Sequence, residues 1–186
     1  DAGGNSPGTV TVSGCWIESC FHEGLALSGA DKIVRVLDSV IINCGQAAEV
    51  GYLSPNVTLE RCLLTGNGVG ARFGDNYGGG HLGFLSMTGT LSIFNQRDVW
   101  GMSRDLWAEK ISRMKIERNY LSKPHESFPD NWVWEPTAHS GLLSPFLSES
   151  PFVPGIGFRG WDRLVAPSRI SVGLSRPSTR PVQARF

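Results

Sequence analysis

The sequence repeats itself at a nearly fixed interval. Aliphatic pairs separated by one residue begin at Val10, Val34, Val57, Leu91 and Met114, and these starts are 24, 23, 34 and 23 residues apart. Four of the five starts are followed seven residues later by another aliphatic residue: Ile17, Ile41, Leu64 and Leu121. Self-similarity at a fixed period of about 20–50 residues indicates a repeat architecture. The interval of 34 predicts an insertion of about 11 residues, which contains the glycine-rich run 74–81.

Each repeat predicts three short strands. In the second repeat, the alternation Val34-Arg35-Val36 places two apolar side chains on one face of a strand. A second apolar run (39–41), a turn rich in Asn, Cys and Gly (43–45) and a third short stretch (49–51) follow. Three strands and three turns in about 23 residues leave no room for a helix of ordinary length.

The pattern favours an all-β fold, a right-handed, single-stranded parallel β-helix of about five coils. Each coil then adds about 4.8 Å, and its backbone groups pair with those of both neighbouring coils. This arrangement requires Val12, Val36 and Leu59 to stack in one column. In the fourth coil we expect Asp98 at an apolar position, with Val99 shifted inward by a bulge. A leucine-rich repeat lacks support because its Leu-x-x-Leu-x-Leu signature is absent. A β-sandwich of short strands is the alternative, but it does not explain the common register.

The chain divides into three predicted regions. Residues 1–122 form the coils, and the stretch 109–118 resembles an amphipathic helix but returns to the strand register. Residues 123–154 are rich in proline and aromatic residues and predict a loop that covers the open end of the coils, where unpaired strand edges would otherwise be exposed. Residues 155–186 resume an alternating pattern and predict a truncated, partly β-sandwich-like module. The chain starts without Met inside Gly- and Ser-rich sequence, so we expect a piece of a longer protein with flanking domains.

Composition excludes some partners. The 17 Lys and Arg residues equal the 17 Asp and Glu residues, which argues against a basic nucleic-acid footprint. No run of about 18 apolar residues is present, so the sequence predicts no membrane span.

The cysteines occupy repeated positions. Cys15 and Cys62 share one position with Ser39 between them, and Cys20 and Cys44 share another. Free cysteine is among the most buried residue types, so we expect ladders of buried thiols. A disulfide between Cys20 and Cys44 is the alternative, because stacked neighbours satisfy the Cα distance that a disulfide needs. The absence of a Cys-x-x-Cys pair argues against a zinc site.

Glu49 and Arg72 stand at equivalent places in neighbouring coils, with Leu25 expected below them and Leu106 above. As a catalytic hypothesis, Arg72 neutralises a uronate carboxylate or acts as a base, while Glu49 and Asp75 bind Ca²⁺ through oxygen ligands. The structural interpretation is a cross-strand ion pair at the surface, which contributes less than about 1 kcal/mol. We prefer the structural interpretation.

Other candidate ligand contacts lie in two loops. Asp75 and Asn76 offer oxygen ligands for a cation, although their spacing matches no Ca²⁺ motif. His81 in the glycine-rich run, Trp132 and Trp134 are candidates for glycan contact. The two tryptophans suit sugar stacking if exposed and an end cap if buried.

Two segments support a resemblance to a known family. GVGARFGDNY at 68–77 and RDVWGM at 97–102 resemble the right-handed β-helix of pectate-lyase-like proteins. More narrowly, they are similar to the β-helix region of large secreted bacterial proteins that also have lamin-tail and spore-coat-kinase (CotH-like) modules. Residues 170–186 resemble the opening strand pair of a Calx-β-like or fibronectin-like module. The resemblance implies an extracellular or cell-surface location, but no motif here matches a lyase active site.

Two functions follow as hypotheses. The first is a non-enzymatic, structural or adhesive β-helix module of a secreted protein that contacts polysaccharide. The second is a polysaccharide lyase, hydrolase or epimerase that uses Glu49, Arg72 and Asp75. Few further carboxylates occur at matching positions, which favours the first.

Overall fold

The computed structural model describes residues 7–51, 53, 55–74, 83–101 and 107–135. Residues 136–154 of the predicted capping loop and the whole predicted module 155–186 lie outside the described residues, as do Asp75, Asn76 and His81.

The described chain is a parallel β-solenoid of about 4 turns, so the predicted fold class is confirmed. Sheet A contains the first strand of each coil: β1 (Gly8–Ser13), β4 (Lys32–Leu37), β7 (Asn56–Glu60), β10 (Phe84–Thr88) and β13 (Met114–Glu117). Sheet B contains the second strands: β2 (Trp16–Glu18), β5 (Val40–Ile42), β8 (Leu63–Thr65), β11 (Leu91–Ile93), β14 (Tyr120–Leu121) and β15 (Trp132–Val133). Sheet C contains the third strands: β3 (Glu23–Leu27), β6 (Gln46–Val50), β9 (Val69–Phe73) and β12 (Arg97–Gly101).

Aliphatic side chains stack in columns inside the coils. Val12 pairs with Val36 and Val36 with Leu59, as the repeat pattern required. The same column continues through Met87 and Ile116. From the second coil onward these side chains are at most 3% exposed, so the core is a continuous apolar stack. The first coil is less protected, since Val10 is 36% exposed.

The predicted register of the fourth coil is wrong. Leu85, rather than Leu91, pairs with Val57 and Met114. The interval from Val57 to Leu85 is therefore 28 residues, and the insertion relative to a 23-residue coil is five residues rather than about 11. Leu91 lies in β11, between Leu63 and Tyr120 of sheet B. The coil therefore begins six residues earlier than the pattern predicted.

Asp98 also lies elsewhere than predicted. The inward position of sheet B is occupied by Ser92, which pairs with Leu64 and Leu121, while Asp98 lies in β12. Val99 is buried at 5% exposure, but it lies in sheet C, where it pairs with Ala71 in the regular register of β12 and not through a bulge.

Two corners of the coil have left-handed backbone in successive turns. At the corner between sheets A and B, φ lies between 48° and 63° at Gly14, Asp38, Arg61, Gly89 and Arg118. At the corner between sheets B and C, φ lies between 53° and 69° at Ser19, Asn43, Gly66 and Phe94. Only glycine adopts this backbone region without a steric cost. At the non-glycine corners, the repeated geometry of the turns therefore holds the backbone in this region against that cost.

A ladder of small side chains follows each corner. The first ladder consists of Cys15, Ser39, Cys62, Thr90, Asn119 and Asn131, and the second of Cys20, Cys44, Asn67 and Asn95. Where the later residue has an oxygen, that oxygen accepts the backbone N–H of the residue one coil before, as Thr90 does from Cys62 at 3.2 Å and Asn67 does from Cys44 at 2.9 Å. The ladders satisfy backbone donors that the turns would otherwise leave unpaired in the interior.

All four cysteines are thiols in the structure. Cys44 and Cys62 are buried, as predicted, while Cys15 and Cys20 are half-buried. Burial raises the pKa of the Cys62 thiol to about 12.

The stretch 109–118 is partly helical, unlike the prediction. A short helix, α1 (Trp107–Ile111), precedes the return to strand at β13. Within the described residues no helix is long and apolar enough to cross a membrane.

Candidate functional site

The outer face of sheet C brings Glu49 and Arg72 together, as the sequence predicted. The two residues are register partners in β6 and β9, and Arg72 Nη1 lies 3.3 Å from Glu49 Oε1. Their neighbours differ from the prediction: Ala26 lies beside Glu49 and Trp100 beside Arg72. The predicted lower neighbour, Leu25, instead pairs with Ala48 and packs against the core, because the third strands are offset by 23 residues rather than 24.

The ion pair of Glu49 and Arg72 is not at the surface, which corrects the interpretation of these residues as a surface cross-strand pair. The side chains of Arg72 and Glu49 are only 5% and 15% exposed. Arg72 Nη1 also donates to Gln46 Oε1 at 3.1 Å, and Gln46 Nε2 donates to Glu23 Oε1 at 3.0 Å. A polar chain thus crosses three coils, and removing one member would leave the others with unmet hydrogen bonds in a poorly solvated place.

Trp100 adds an aromatic element to this face. The guanidinium carbon of Arg72 lies 5.0 Å from the centre of the Trp100 ring, and that of Arg97 lies 4.5 Å from it. Both distances are within the range of cation–π attraction. Arg97 is exposed, so the outer part of the face is cationic and aromatic.

Two carboxylates of this face are already engaged: Glu49 is paired with the Arg72 guanidinium, and Glu23 accepts a hydrogen bond from Gln46. Asp75, the third residue of the catalytic hypothesis, lies outside the described residues, as does Leu106. Within the described part of the chain, no group of three His, Cys, Asp or Glu side chains could hold a metal ion.

A second candidate lies at the carboxyl end of the solenoid. A cavity of about 300 Å³ is formed where the chain turns back to add β15 to sheet B; we call it the end pocket. Its lining includes Lys123, His125, Glu126, Phe128 and Trp132.

The structure separates the two predicted tryptophans. Trp132 is 41% exposed on the wall of the end pocket, whereas Trp134 is 4% exposed. Trp134 packs edge-on against Tyr120 at 5.8 Å and Phe94 at 6.3 Å between ring centres. Trp134 therefore has the geometry of an end cap, and Trp132 has the exposure that a ligand contact needs.

His125 is the titratable group of the end pocket whose pKa is shifted by burial. Burial lowers the pKa of His125 below its usual 6.5, and the charge of Glu126 partly opposes this. The ring lies 4.8 Å from Phe128, centre to centre. Neutral imidazole is therefore the favoured form near neutral pH.

Asp98 is a half-buried carboxylate near the same end. It accepts hydrogen bonds from Ser122 N at 2.6 Å, Ser122 Oγ at 3.2 Å and Asn95 Nδ2 at 3.1 Å. Burial nevertheless raises the pKa of Asp98 above its ordinary value, since desolvation outweighs these bonds. The carboxylate fastens the turn after β14 to the fourth coil.

Sequence reasoning missed Arg97, Trp100 and the end pocket. Arg97 and Trp100 stand 28 residues after Val69 and Arg72, so a correct register for the fourth coil would have placed them on this face. The end pocket depends on the irregular path of residues 123–131, which has no periodic signal. Comparison of the chain with protein-family models, with curated proteins and with solved structures found no match.

Proposed function

We propose that this chain is a non-enzymatic β-solenoid module of a secreted or cell-surface protein, with a structural or adhesive role, and that it contacts polysaccharide through the end pocket. The observation that supports this most directly is the exposure of Trp132 on the wall of a 300 Å³ cavity. An exposed indole face offers a flat apolar surface against which the C–H face of a sugar ring packs.

The surroundings of Trp132 suit a polar, hydroxyl-rich ligand. Lys123 supplies donors and Glu126 supplies acceptors at the pocket, while Phe128 and Val133 supply apolar surface. A cavity of this volume is at the small end of the range for ligand sites, so it suits a chain end or a short sugar unit. The parallel sheets behind it form a rigid support, which is the usual setting for a binding loop.

The proposed location is supported by the resemblance of segments 68–77 and 97–102 to secreted pectate-lyase-like β-helices. An end-on contact with polysaccharide leaves the length of the solenoid free to act as a spacer. Each coil adds about 4.8 Å to that spacer.

Affinity electrophoresis in gels that contain single polysaccharides tests the proposal. We expect at least one neutral or acidic polysaccharide to retard the protein, and Trp132→Ala to weaken binding by about tenfold or more, a loss of about 1.4 kcal/mol. Trp16→Ala is the matched control, because Trp16 lies at the opposite end of sheet B and is half-buried. No retardation by any polysaccharide, or equal retardation of Trp132→Ala and wild type, would refute the proposal.

A second candidate function is a polysaccharide lyase, hydrolase or epimerase on the outer face of sheet C. The observation that favours it is that the guanidinium groups of Arg72 and Arg97 both lie within 5.0 Å of the centre of the Trp100 ring, since guanidinium groups beside an aromatic ring suit an acidic sugar. Incubation with uronate polysaccharides, followed by absorbance of unsaturated products, tests the lyase reaction. Turnover that disappears in Arg72→Ala, with the fold intact by circular dichroism, would favour this candidate over the first.

A further inference from the structure

Cys20 and Cys44 lie one above the other in the second ladder. The backbone N–H of Gly45 donates to the carbonyl of Cys20 at 3.1 Å, which fixes the two turns against each other. Adjacent coils are about 4.8 Å apart. That spacing is within the Cα separation of about 4.4–6.8 Å that disulfides show.

The two thiols also have matching directions. Cys44 Sγ donates to the carbonyl of Ile42 at 3.3 Å, and Cys20 Sγ lies 4.0 Å from the carbonyl oxygen of Glu18, the corresponding atom one coil earlier. A Cβ added to Gly24, in the coil of Cys20, would lie 3.4 Å from Cys44 Sγ. The sulfur of Cys44 therefore faces the first coil.

The other two cysteines provide an internal contrast. Cys15 and Cys62 belong to the first ladder, but Ser39 stands between them, as its hydroxyl accepts the Cys15 N–H at 3.2 Å. Two coil spacings separate them, about 9.6 Å, and a disulfide cannot span that distance without backbone movement.

From this geometry we propose that Cys20 and Cys44 are the site of a cross-coil disulfide that forms on exposure to a mild oxidant such as a peroxide. The bond would fasten the first coil to the second. This matters because the first coil is poorly protected: of the six residues of β1, five are exposed and Val12 is half-buried. The proposal does not depend on the polysaccharide-binding role.

The reaction has a defined order because the two thiols differ in access. Cys20 is half-buried and meets the oxidant first, whereas burial raises the pKa of Cys44 to about 11 and keeps it protonated near neutral pH. The Cys20 thiolate attacks one peroxide oxygen, the O–O bond breaks, and water leaves after protonation, giving a sulfenic acid. The Cys44 sulfur then attacks the Cys20 sulfur, the S–O bond breaks, and a second water leaves with the Cys44 proton. The two sulfurs lose two electrons in total, and the peroxide gains them.

Peptide mapping of the native protein tests the proposal without any substitution. The reduced protein is treated with a small excess of hydrogen peroxide, alkylated, digested and examined by mass spectrometry without reductant. We expect two of the four thiols to become resistant to alkylation and one linked peptide pair, containing Cys20 and Cys44, to appear. Retention of all four thiols, or linkage that involves Cys15 or Cys62, would overturn the proposal.

Thermal melting of three variants adds a second measurement. The disulfide would close a loop of 25 residues, and we expect oxidation to raise the melting temperature of wild type by roughly 5–10 °C. Cys20→Ser should lose this rise, while Cys15→Ser, a control in the other ladder of the same coil, should keep it. If Cys44→Ser fails to fold, Cys20→Ser and the peptide map still decide the matter. An equal rise in Cys20→Ser and wild type would contradict the proposal.

Discussion

Substitution of Asn67 tests whether the ladder side chains stabilise the solenoid by satisfying buried backbone groups. Its side chain accepts from the backbone N–H of Cys44 at 2.9 Å and donates to the carbonyl of Ile41 at 3.1 Å and to Asn95 Oδ1 at 3.0 Å. Asn67 is 1% exposed, so water cannot replace these partners. Each hydrogen bond contributes about 0.5–1.5 kcal/mol net, and a buried group left without a partner adds to the loss. We therefore expect Asn67→Ala to lower the free energy of unfolding by about 2–5 kcal/mol.

Asn67→Ser is the variant that separates this mechanism from simple loss of volume. In the other ladder, the Ser39 hydroxyl accepts the Cys15 N–H and donates to the carbonyl two residues earlier at 2.8 Å. A serine at position 67 can make the same two bonds, so we expect it to recover about half of the loss.

Urea unfolding followed by circular dichroism and tryptophan fluorescence gives both values. Gln96→Ala is the control, because Gln96 is an exposed amide and should change stability by less than about 0.5 kcal/mol. The reasoning would be refuted by Asn67→Ala within about 0.5 kcal/mol of wild type, or by Asn67→Ser no more stable than Asn67→Ala.

Three further predictions concern packing and pH. Gly70→Ala should destabilise the protein by about 2–3 kcal/mol in urea unfolding. The reason is that a Cβ at this position would lie 2.1 Å from Ser92 Oγ and 2.5 Å from the carbonyl oxygen of Asp98. An unchanged urea midpoint would contradict this packing. Because burial raises the pKa of Asp98 above 3.8, the native state binds this proton more tightly than the unfolded state, so this group's contribution to stability should fall as pH rises from about 4 through the native pKa. Urea midpoints between pH 3.5 and 7 should show this dependence as a difference between wild type and Asp98→Asn, and parallel curves would contradict it. Because burial lowers the pKa of His125 below 6.5, the unfolded state binds that proton more tightly, so stability should fall as pH drops below 6.5. Between pH 7.5 and 5.5 the melting temperature should therefore decline less in His125→Gln than in wild type. An equal decline in the two proteins would count against this prediction.

The sequence was sufficient to predict the fold because the same residue types recur where the same environment recurs. Val36 and Leu59 are fully buried for the same reason, and Cys44 and Asn67 occupy the same corner. The left-handed corners were harder to predict. Glycine marks only some of them, and Arg61 holds the same backbone with φ at 53° while it forms a two-bond ion pair with Asp38.

The candidate site was predictable only in part. The pairing of Glu49 with Arg72 follows directly from the period, but their burial does not, because a strand pattern does not say what covers the outer face of a sheet. For the same reason the sequence could not separate Trp132 from Trp134. Both lie in a segment without a period, and only the addition of β15 to sheet B exposes one side chain and buries the other.

The misplaced fourth coil shows where periodic reasoning reaches its limit. Leu85-Ser86-Met87 and Leu91-Ser92-Ile93 have the same alternation, six residues apart, so hydrophobicity alone cannot decide which one opens the coil. The structure places Ser92 in a buried column, where an apolar residue was expected. That is tolerable because Ser92 Oγ donates to the carbonyl of Asp98 at 2.8 Å and accepts from Asn95 Nδ2 at 3.2 Å. A buried hydroxyl with both partners costs little, whereas the other register would move Leu85 and Met87, both fully buried, out of the core. The balance between one satisfied hydroxyl and two exposed aliphatic side chains therefore sets the register of this coil.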